Sequence, residues 1–315
     1  MTVFVDPTQP IDRRIVEYPI EAAAPERKSD LQDIWKKYDP SFFCIADEKG
    51  ITLKAQKSSI SFSPKTMSVF WLLGFAAWKI FVCHSPHLFL SVVSGQEIDD
   101  DMLQSDDGLY EAKGAFTEIL SVAADLISAP SLDDVTWPDD VPQTQSDKEG
   151  FSVEQQATFD LIMIATAYAM LHEIKHVMFN KDGNRPSDAD EEIVCDTFAR
   201  DFILDGYLEY AEESGDPADK VLMKRAMGIA LGAFIVYEMT PDHGLRGNSD
   251  YPPVADRFDA LIGEIQASAD SDFWMLAGTL LIATLHRWDR NVAVLSDAPD
   301  KMCRSLIDEI RNRVL

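Results

Sequence analysis

The chain has 315 residues, 46% of them hydrophobic, with a formal net charge of −26 at pH 7 and a pI near 4.4. This length and apolar content suffice for one large core or two modest ones. The acidic excess argues against nonspecific nucleic-acid binding, which requires clustered Lys and Arg to neutralise phosphates. We attribute the charge to surface solvation, with a basic partner as the alternative.

The cysteine pattern and the apolar segments predict a cytoplasmic protein without a membrane span. The cysteines lie far apart and form no CxxC pair: Cys44, Cys83, Cys195 and Cys303. This spacing indicates a reducing compartment. Residues 1–7 contain neither a basic flank nor the apolar core of a secretory signal. The apolar stretches 69–83, 226–237 and 273–285 are each shorter than the ~18–20 residues that cross a bilayer.

The sequence of the N-terminal part of the chain predicts little helix. Residues 1–30 contain four prolines and are expected to form an extended arm or loop. Apolar segments at 42–46 and 51–55 flank the turn sequence Asp-Glu-Lys-Gly, which is typical of a β-hairpin, and residues 59–62 are a candidate third strand. We therefore predict an arm and β-hairpin region over 1–62, and a helical domain over 63–315 that forms one compact unit with it.

Most of the remaining chain predicts helices. Ser63-Pro64-Lys65-Thr66 opens an apolar helix that ends at Cys83, and His84 and His87 are expected in the loop after it. Further helices are predicted at 108–128, 217–239, about 272–290 and about 297–313. Residues 129–150 contain three prolines and many Asp and Ser, which favours a linker or surface loop. The fold class is mainly α, of α+β type, with a small N-terminal sheet.

The stretch His172-Glu173-Ile174-Lys175-His176 is the strongest functional signal. Residues 159–170 before it are strong helix formers, and histidines four apart on a helix project from one face. A hydrolytic zinc site uses three protein ligands and one open position for water. The histidines would supply two ligands, and Glu173 would accept the water's proton. The alternative is a pair of solvated or capping histidines.

A second helix follows the motif and contributes carboxylates. The loop 180–186 ends the first helix, and Ser187 with Asp190 is typical of the N-terminal cap of the next. Glu192 and Asp196 lie four apart on that helix, so one can bind a metal while the other orients a ligand histidine. Cys195 lies between them, and we expect it to be a small buried hydrophobe.

These residues resemble the HExxH…ExxxD pattern of the gluzincin metallopeptidases, including the CAAX-processing type. Tyr251-Pro252-Pro253 with Arg257 is similar to a His-Pro-Pro-x-x-x-Arg segment of those enzymes. The chain length, the early apolar helix around Trp71 and the order of these motifs resemble the Lit-type phage-exclusion peptidases over most of the chain.

This resemblance implies a zincin-like core. It implies that His172, His176 and Glu192 bind zinc, that Glu173 is the general base and that Asp196 orients a ligand. Glu191 is an alternative third ligand; we prefer Glu192 because only it stands four residues before Asp196.

The oxyanion donor stays open. Tyr251 occupies the position where the related enzymes often have a histidine, and His243 and Tyr237 compete for the role. Arg257 is expected either to pair with a carboxylate or to contact substrate. In related zinc peptidases an edge strand aligns the substrate by β-augmentation, but a plain structural hairpin is the favoured interpretation here.

The Lit-type resemblance implies a soluble zinc endopeptidase that cleaves host translation elongation factor Tu when a phage-derived peptide activates it. One alternative is a regulatory gluzincin that cuts a repressor or an antitoxin. Another is a non-catalytic metal-binding interaction protein that uses the HExxH helix as a scaffold.

Overall fold

The computed structural model describes residues 10–46, 50–95, 107–145, 147–249, 251–288 and 298–314. The α-helices, in chain order, are α1 Arg14–Ala23, α2 Lys28–Tyr38, α3 Pro64–Ser94, α4 Asp107–Ser128, α5 Val153–Asp182, α6 Asp188–Leu204, α7 Tyr207–Ser214, α8 Ala218–Met239, α9 Val254–Phe258, α10 Asp272–Trp288 and α11 Pro299–Val314. The strands are β1 Ser41–Cys44, β2 Leu53–Gln56 and β3 Ser59–Phe62. Short 3₁₀ turns cover Pro25–Arg27, Leu132–Asp134 and Asp242–Gly244, and a π turn covers Asp259–Gly263. The expected mainly helical fold with a small N-terminal sheet is confirmed.

The N-terminal region is helical, so the prediction of an extended arm is wrong from Arg14 onward. α1 buries Val16, Pro19 and Ile20 along one face against α5. The burial of this face outweighs the hydrogen bond that Pro19 removes from the helix. Pro25 begins a 3₁₀ turn, a position where its missing N–H costs nothing. The first nine residues of the predicted arm lie outside the described residues.

The sheet has the strand order β1-β3-β2, in which β3 pairs parallel with β1 and antiparallel with β2. The predicted hairpin between 42–46 and 51–55 is therefore wrong, because the hairpin joins β2 to β3 through Lys57, which has a positive φ of 54°. β3 is the central strand of the sheet because its Ile60 and Phe62 are buried, whereas Lys54 and Gln56 of β2 are exposed. Residues 47–49 of the predicted turn lie outside the described part of the chain. β2 is consequently an edge strand.

α3 is longer than predicted, since it continues through His84, Pro86 and His87 to Ser94. It continues because Leu88 and Ser91, beyond the proline, are buried. α3 and α5, with 31 and 30 residues, are long and apolar enough to cross a membrane, so the length argument does not hold for them. In each, 72% of the most apolar window is buried inside the protein, as in the core helices of globular proteins. Cytoplasmic localisation stays a prediction.

The helices predicted at 108–128, 217–239, about 272–290 and about 297–313 correspond to α4, α8, α10 and α11 within the described residues. The sequence did not predict α2 and α7; α2 forms because it buries Leu31, Trp35 and Tyr38. The segment 129–150 contains only a short 3₁₀ turn among its described residues. Buried side chains from α1, the sheet and most of the other helices, including α11, belong to one hydrophobic cluster, for example Val16, Phe42 and Ile310. The domain boundary at residues 62 and 63 stays a prediction.

Two glycines of α8 allow this helix to approach α5 closely. A Cβ atom on Gly228 would lie 2.4 Å from Cβ of Ile164, and one on Gly232 would lie 2.7 Å from Cδ1 of Tyr168. Both distances are shorter than a van der Waals contact. The absence of side chains at these positions therefore fixes where the Tyr168 ring lies on α5.

We expect Gly232→Ala to lower the free energy of unfolding by about 1–3 kcal/mol, because the added methyl group overpacks the contact with Tyr168. Urea denaturation measures the change. Gly114→Ala is the matched control, since Gly114 is also inside a helix but a Cβ there meets nothing within 4 Å. We expect that control to be stabilising by about 0.5–1 kcal/mol. Equal effects of the two substitutions would contradict the close approach of α8 to α5.

Candidate metal centre

Two histidines of α5 and one glutamate of α6 converge on a common point. The Nε2 atoms of His172 and His176 lie 3.1 Å apart. Oε2 of Glu192 is 3.3 Å from Nε2 of His172, and its Oε1 is 3.4 Å from Nε2 of His176. Tetrahedral zinc with Zn–N bonds of about 2.0–2.1 Å separates its ligand atoms by about 3.3 Å. The three side chains are thus spaced as ligands of one such ion.

A buried carboxylate lies behind each imidazole. Nδ1 of His172 is 2.8 Å from Oδ1 of Asp196, and Nδ1 of His176 is 2.5 Å from Oε1 of Glu191. When Nδ1 carries the proton that it donates to the carboxylate, the Nε2 lone pair is free to bind a metal. Once the Nε2 atoms have released their protons, both lone pairs face the Glu192 carboxylate. This set of donors fits a divalent cation.

The structure thereby separates the acidic residues of α6. Glu192 lies beside the Nε2 atoms, as preferred from the sequence, and Asp196 lies behind His172. Glu191, the alternative third ligand, lies on the far side of His176, where Nε of Arg185 donates to its other oxygen. The side chain of Glu191 is 1% exposed, so it can orient His176.

Asp196 has two further partners, and sequence reasoning missed one of them. The hydroxyl of Tyr168 donates to Oδ1 of Asp196 at 2.5 Å. Arg257 of α9 donates to the same carboxylate through Nε and Nη2, both at 2.7 Å. The geometry therefore supports the carboxylate pairing considered for Arg257. The signal for Tyr168 was its place four residues before His172, on the same face of the helix.

Burial and ion pairing set the charges of the site. Burial raises the pKa of Asp196, but Arg257 and His172 outweigh it and hold this pKa well below its usual range. Burial likewise opposes ionisation of Glu192, yet its hydrogen bonds with the two histidines keep its pKa low. Burial disfavours the charged form of His172, but Asp196 and Glu192 raise its pKa to about 10. A metal that binds here must therefore displace a proton, so metal affinity rises with pH.

Glu173 lies on the sheet side of the site. Its Oε2 atom accepts a hydrogen bond of 2.5 Å from the backbone N–H of Ala55 in β2. Burial raises the pKa of this carboxyl, against the lowering effect of the nearby histidines. A raised pKa makes the carboxylate a better proton acceptor near neutral pH.

A cavity of about 480 Å³ opens in front of these residues. Leu53 of β2, Phe70 of α3 and Met239 of α8 give it apolar walls, and His243 and Tyr251 line it from the loop between α8 and α9. The third candidate for the oxyanion donor, Tyr237, is placed differently. It is 2% exposed in the core and packs against Phe258 with ring centroids 6.0 Å apart, and it is not among the cavity-lining residues.

Cys195 is a competing ligand. Among the described residues, His172, His176 and Cys195 form a group whose potential ligand atoms all lie within 4.8 Å of one another. The oxygens of Glu192 lie 3.3 and 3.4 Å from the imidazole nitrogens, which matches tetrahedral spacing. Burial and the neighbouring carboxylates also raise the pKa of the Cys195 thiol, which disfavours the thiolate that a metal requires.

The comparisons with known proteins agree with a hydrolytic site. A family model, Peptidase U49, matches residues 60–277, which is more than two thirds of the chain. The chain belongs to the peptidase U49 family. As a U49 peptidase it is a hydrolase that acts on peptide bonds. The match extends from β3 into α10 and includes α5, α6 and α9, which carry the site.

U49 is the family of the Lit proteases, so the peptidase family indicated by the sequence resemblance is confirmed. The classification of the U49 motif among the gluzincins stays a prediction. A comparison with curated proteins and a comparison with solved structures each found no match.

We expect Glu192→Ala to weaken zinc binding by more than about 100-fold. Replacing a residue that only orients a metal ligand already lowers metal affinity about 10–100-fold. Competition with a chromophoric chelator measures the affinity. The matched control is Cys195→Ala on the same helix, for which we expect an affinity within a few-fold of the parent. The reverse order of effects would make Cys195 the third ligand.

Proposed function

We propose that this U49 peptidase is a zinc-dependent endopeptidase with a zincin-like core. His172, His176 and Glu192 would hold the ion, and Glu173 would act as the general base. The convergence of two Nε2 atoms and one carboxylate, with both Nδ1 atoms backed by buried acids, carries the proposal. Zinc in such a site lowers the pKa of its bound water towards 7 and polarises the scissile carbonyl.

Other side chains transfer the proton and orient the metal ligands. Glu173 accepts the proton of the attacking water and delivers it to the nitrogen of the leaving amine. Asp196 keeps the His172 ring in the tautomer that presents Nε2, and Arg257 neutralises the charge of Asp196. Glu191 does the same for His176. This arrangement keeps the ligands fixed while the proton moves.

The oxyanion formed during the attack needs a hydrogen-bond donor. Tyr251 and His243 both line the cavity, and the residue Tyr251 is 55% exposed, so its phenol has access to a bound peptide. Either group can donate to the developing negative charge. Removal of such a donor costs about 2.7–4 kcal/mol in enzymes that use one.

We expect Glu173→Gln to keep one equivalent of zinc while the cleavage rate falls about 10²–10⁴-fold, because an amide cannot accept the proton. Elemental analysis and the rate of substrate cleavage are measured on the same preparation. Glu209→Gln, which changes an exposed glutamate of α7, is the charge-matched control and should leave both values unchanged. Wild-type cleavage by the Glu173→Gln variant would show that another group is the base.

For the substrate we propose host translation elongation factor Tu, with cleavage triggered by a phage-derived peptide in the cytoplasm. Membership of the family of the Lit proteases supports this choice. In each of α3 and α5, 72% of the most apolar 18-residue stretch is buried inside the protein, which supports an enzyme that acts on a protein in solution. A peptidase with such an abundant target has to be inactive until the trigger is present.

The purified chain should cleave elongation factor Tu only when phage lysate is added, and the Glu173→Gln variant should not cleave it. Gel electrophoresis of purified elongation factor and of whole-cell extract detects the product. A different cleaved protein in the extract would instead favour a regulatory peptidase that cuts a repressor or an antitoxin. The absence of stoichiometric metal together with the absence of any cleaved protein would favour a non-catalytic interaction protein.

A further inference from the structure

The edge strand β2 contacts the catalytic machinery through its backbone. Its Ala55 N–H donates to Oε2 of Glu173 at 2.5 Å. In an antiparallel pair, the N–H groups of successive residues point alternately towards the partner strand and away from it. The Ala55 N–H therefore points away from β3, at the open edge of the sheet, and the β2–β3 ladder fixes this direction.

The donor is held rigidly. β2 pairs with β3 over Leu53–Gln56. Just before the strand, Oγ1 of Thr66 accepts from the Thr52 N–H at 2.9 Å and donates to the Thr52 carbonyl at 2.8 Å. The Ser63 N–H also donates to the Thr52 carbonyl, at 3.0 Å. The start of α3 thus fixes the entry to β2, so the Glu173 side chain is the movable partner of the contact.

We propose that the backbone N–H of Ala55 is a positioning group for the general base, so that β2 sets the orientation of the Glu173 carboxylate towards the reacting water. This inference rests on the function proposed above. A half-buried carboxylate on a helix has several rotamers, and one fixed charge-assisted hydrogen bond selects among them. A positioned base avoids the rate loss of about 10²-fold that a misplacement of 1 Å can cause.

This role changes what β2 offers to a substrate. An edge strand that aligned the peptide by β-augmentation would present its outward N–H to the substrate backbone. At Ala55 that donor is bound to Glu173. The two roles predict different kinetics: a positioning donor affects kcat, whereas a substrate-binding donor affects KM.

Replacement of Ala55 by lactic acid, through nonsense suppression, exchanges only the N–H for an ester oxygen and keeps the methyl group. We expect kcat to fall at least tenfold, with KM within twofold and one equivalent of zinc retained. Ala55→Pro removes the same donor by ordinary mutagenesis, and an edge strand tolerates proline where the N–H points outwards. The ester is the decisive variant if the proline variant does not fold. The same exchange of alanine for lactic acid at Ala218, the first residue of α8, is the control. Its N–H has no partner within the helix and lies outside the cavity, so this ester should leave kcat within twofold.

An unchanged kcat, a loss that appears in KM alone, or a gain in activity would each overturn the proposal. A gain would identify the contact as an inhibitory one. The contact is also tested without catalysis: in urea denaturation the ester should destabilise the wild-type chain more than it destabilises the Glu173→Ala variant, and equal losses would overturn the contact itself. If the wild-type chain cleaves nothing while this coupling is present, the proposed function fails and the hydrogen bond stands.

Discussion

The site depends on one buried carboxylate. Asp196 has a side chain that is 0% exposed, and an unpaired charge there would cost several kcal/mol of folding free energy. Three groups from two other elements satisfy it: the imidazole of His172 and the hydroxyl of Tyr168 from α5, and the guanidinium of Arg257 from α9. The contacts that compensate the burial of the Asp196 charge therefore also bring α5, α6 and α9 together and fix one metal ligand.

Close helix packing gives this network its geometry. Because Gly232 has no side chain, the Tyr168 ring lies directly against the backbone of α8, and its hydroxyl reaches Asp196. The C-terminal part of the same helix contributes Val236 and Met239 to the wall of the cavity. The part of α8 around Gly232 thus positions Tyr168, which binds Asp196 behind the ligand His172. The C-terminal part of α8 shapes the cavity for the substrate. A change in its packing acts on both.

The sequence predicted those parts of the site that depend on local spacing. His172 and His176, and Glu192 and Asp196, are each four residues apart, so helical periodicity alone places each pair on one face. The pairing of Arg257 with Asp196 spans 61 residues, and no local pattern determines it. The prediction of the strand order was wrong for the same reason, since β1 and β2 are close in sequence but are separated by β3 in the sheet. At the N-terminus, the prolines suggested a loop. This prediction failed because α1 is stabilised by burial against α5, which lies far along the chain.

The contact between Ala55 and Glu173 shows a kind of constraint that side-chain patterns do not reveal. The family match begins at residue 60, inside β3, so the donor lies outside it although its acceptor lies in the motif. A backbone N–H requires no particular side chain, and any residue except proline supplies it. What the chain must preserve is the position of β2, which depends on Thr66 and on pairing with β3. The small sheet therefore contributes to the site through its geometry, and its own sequence is free of a catalytic signature.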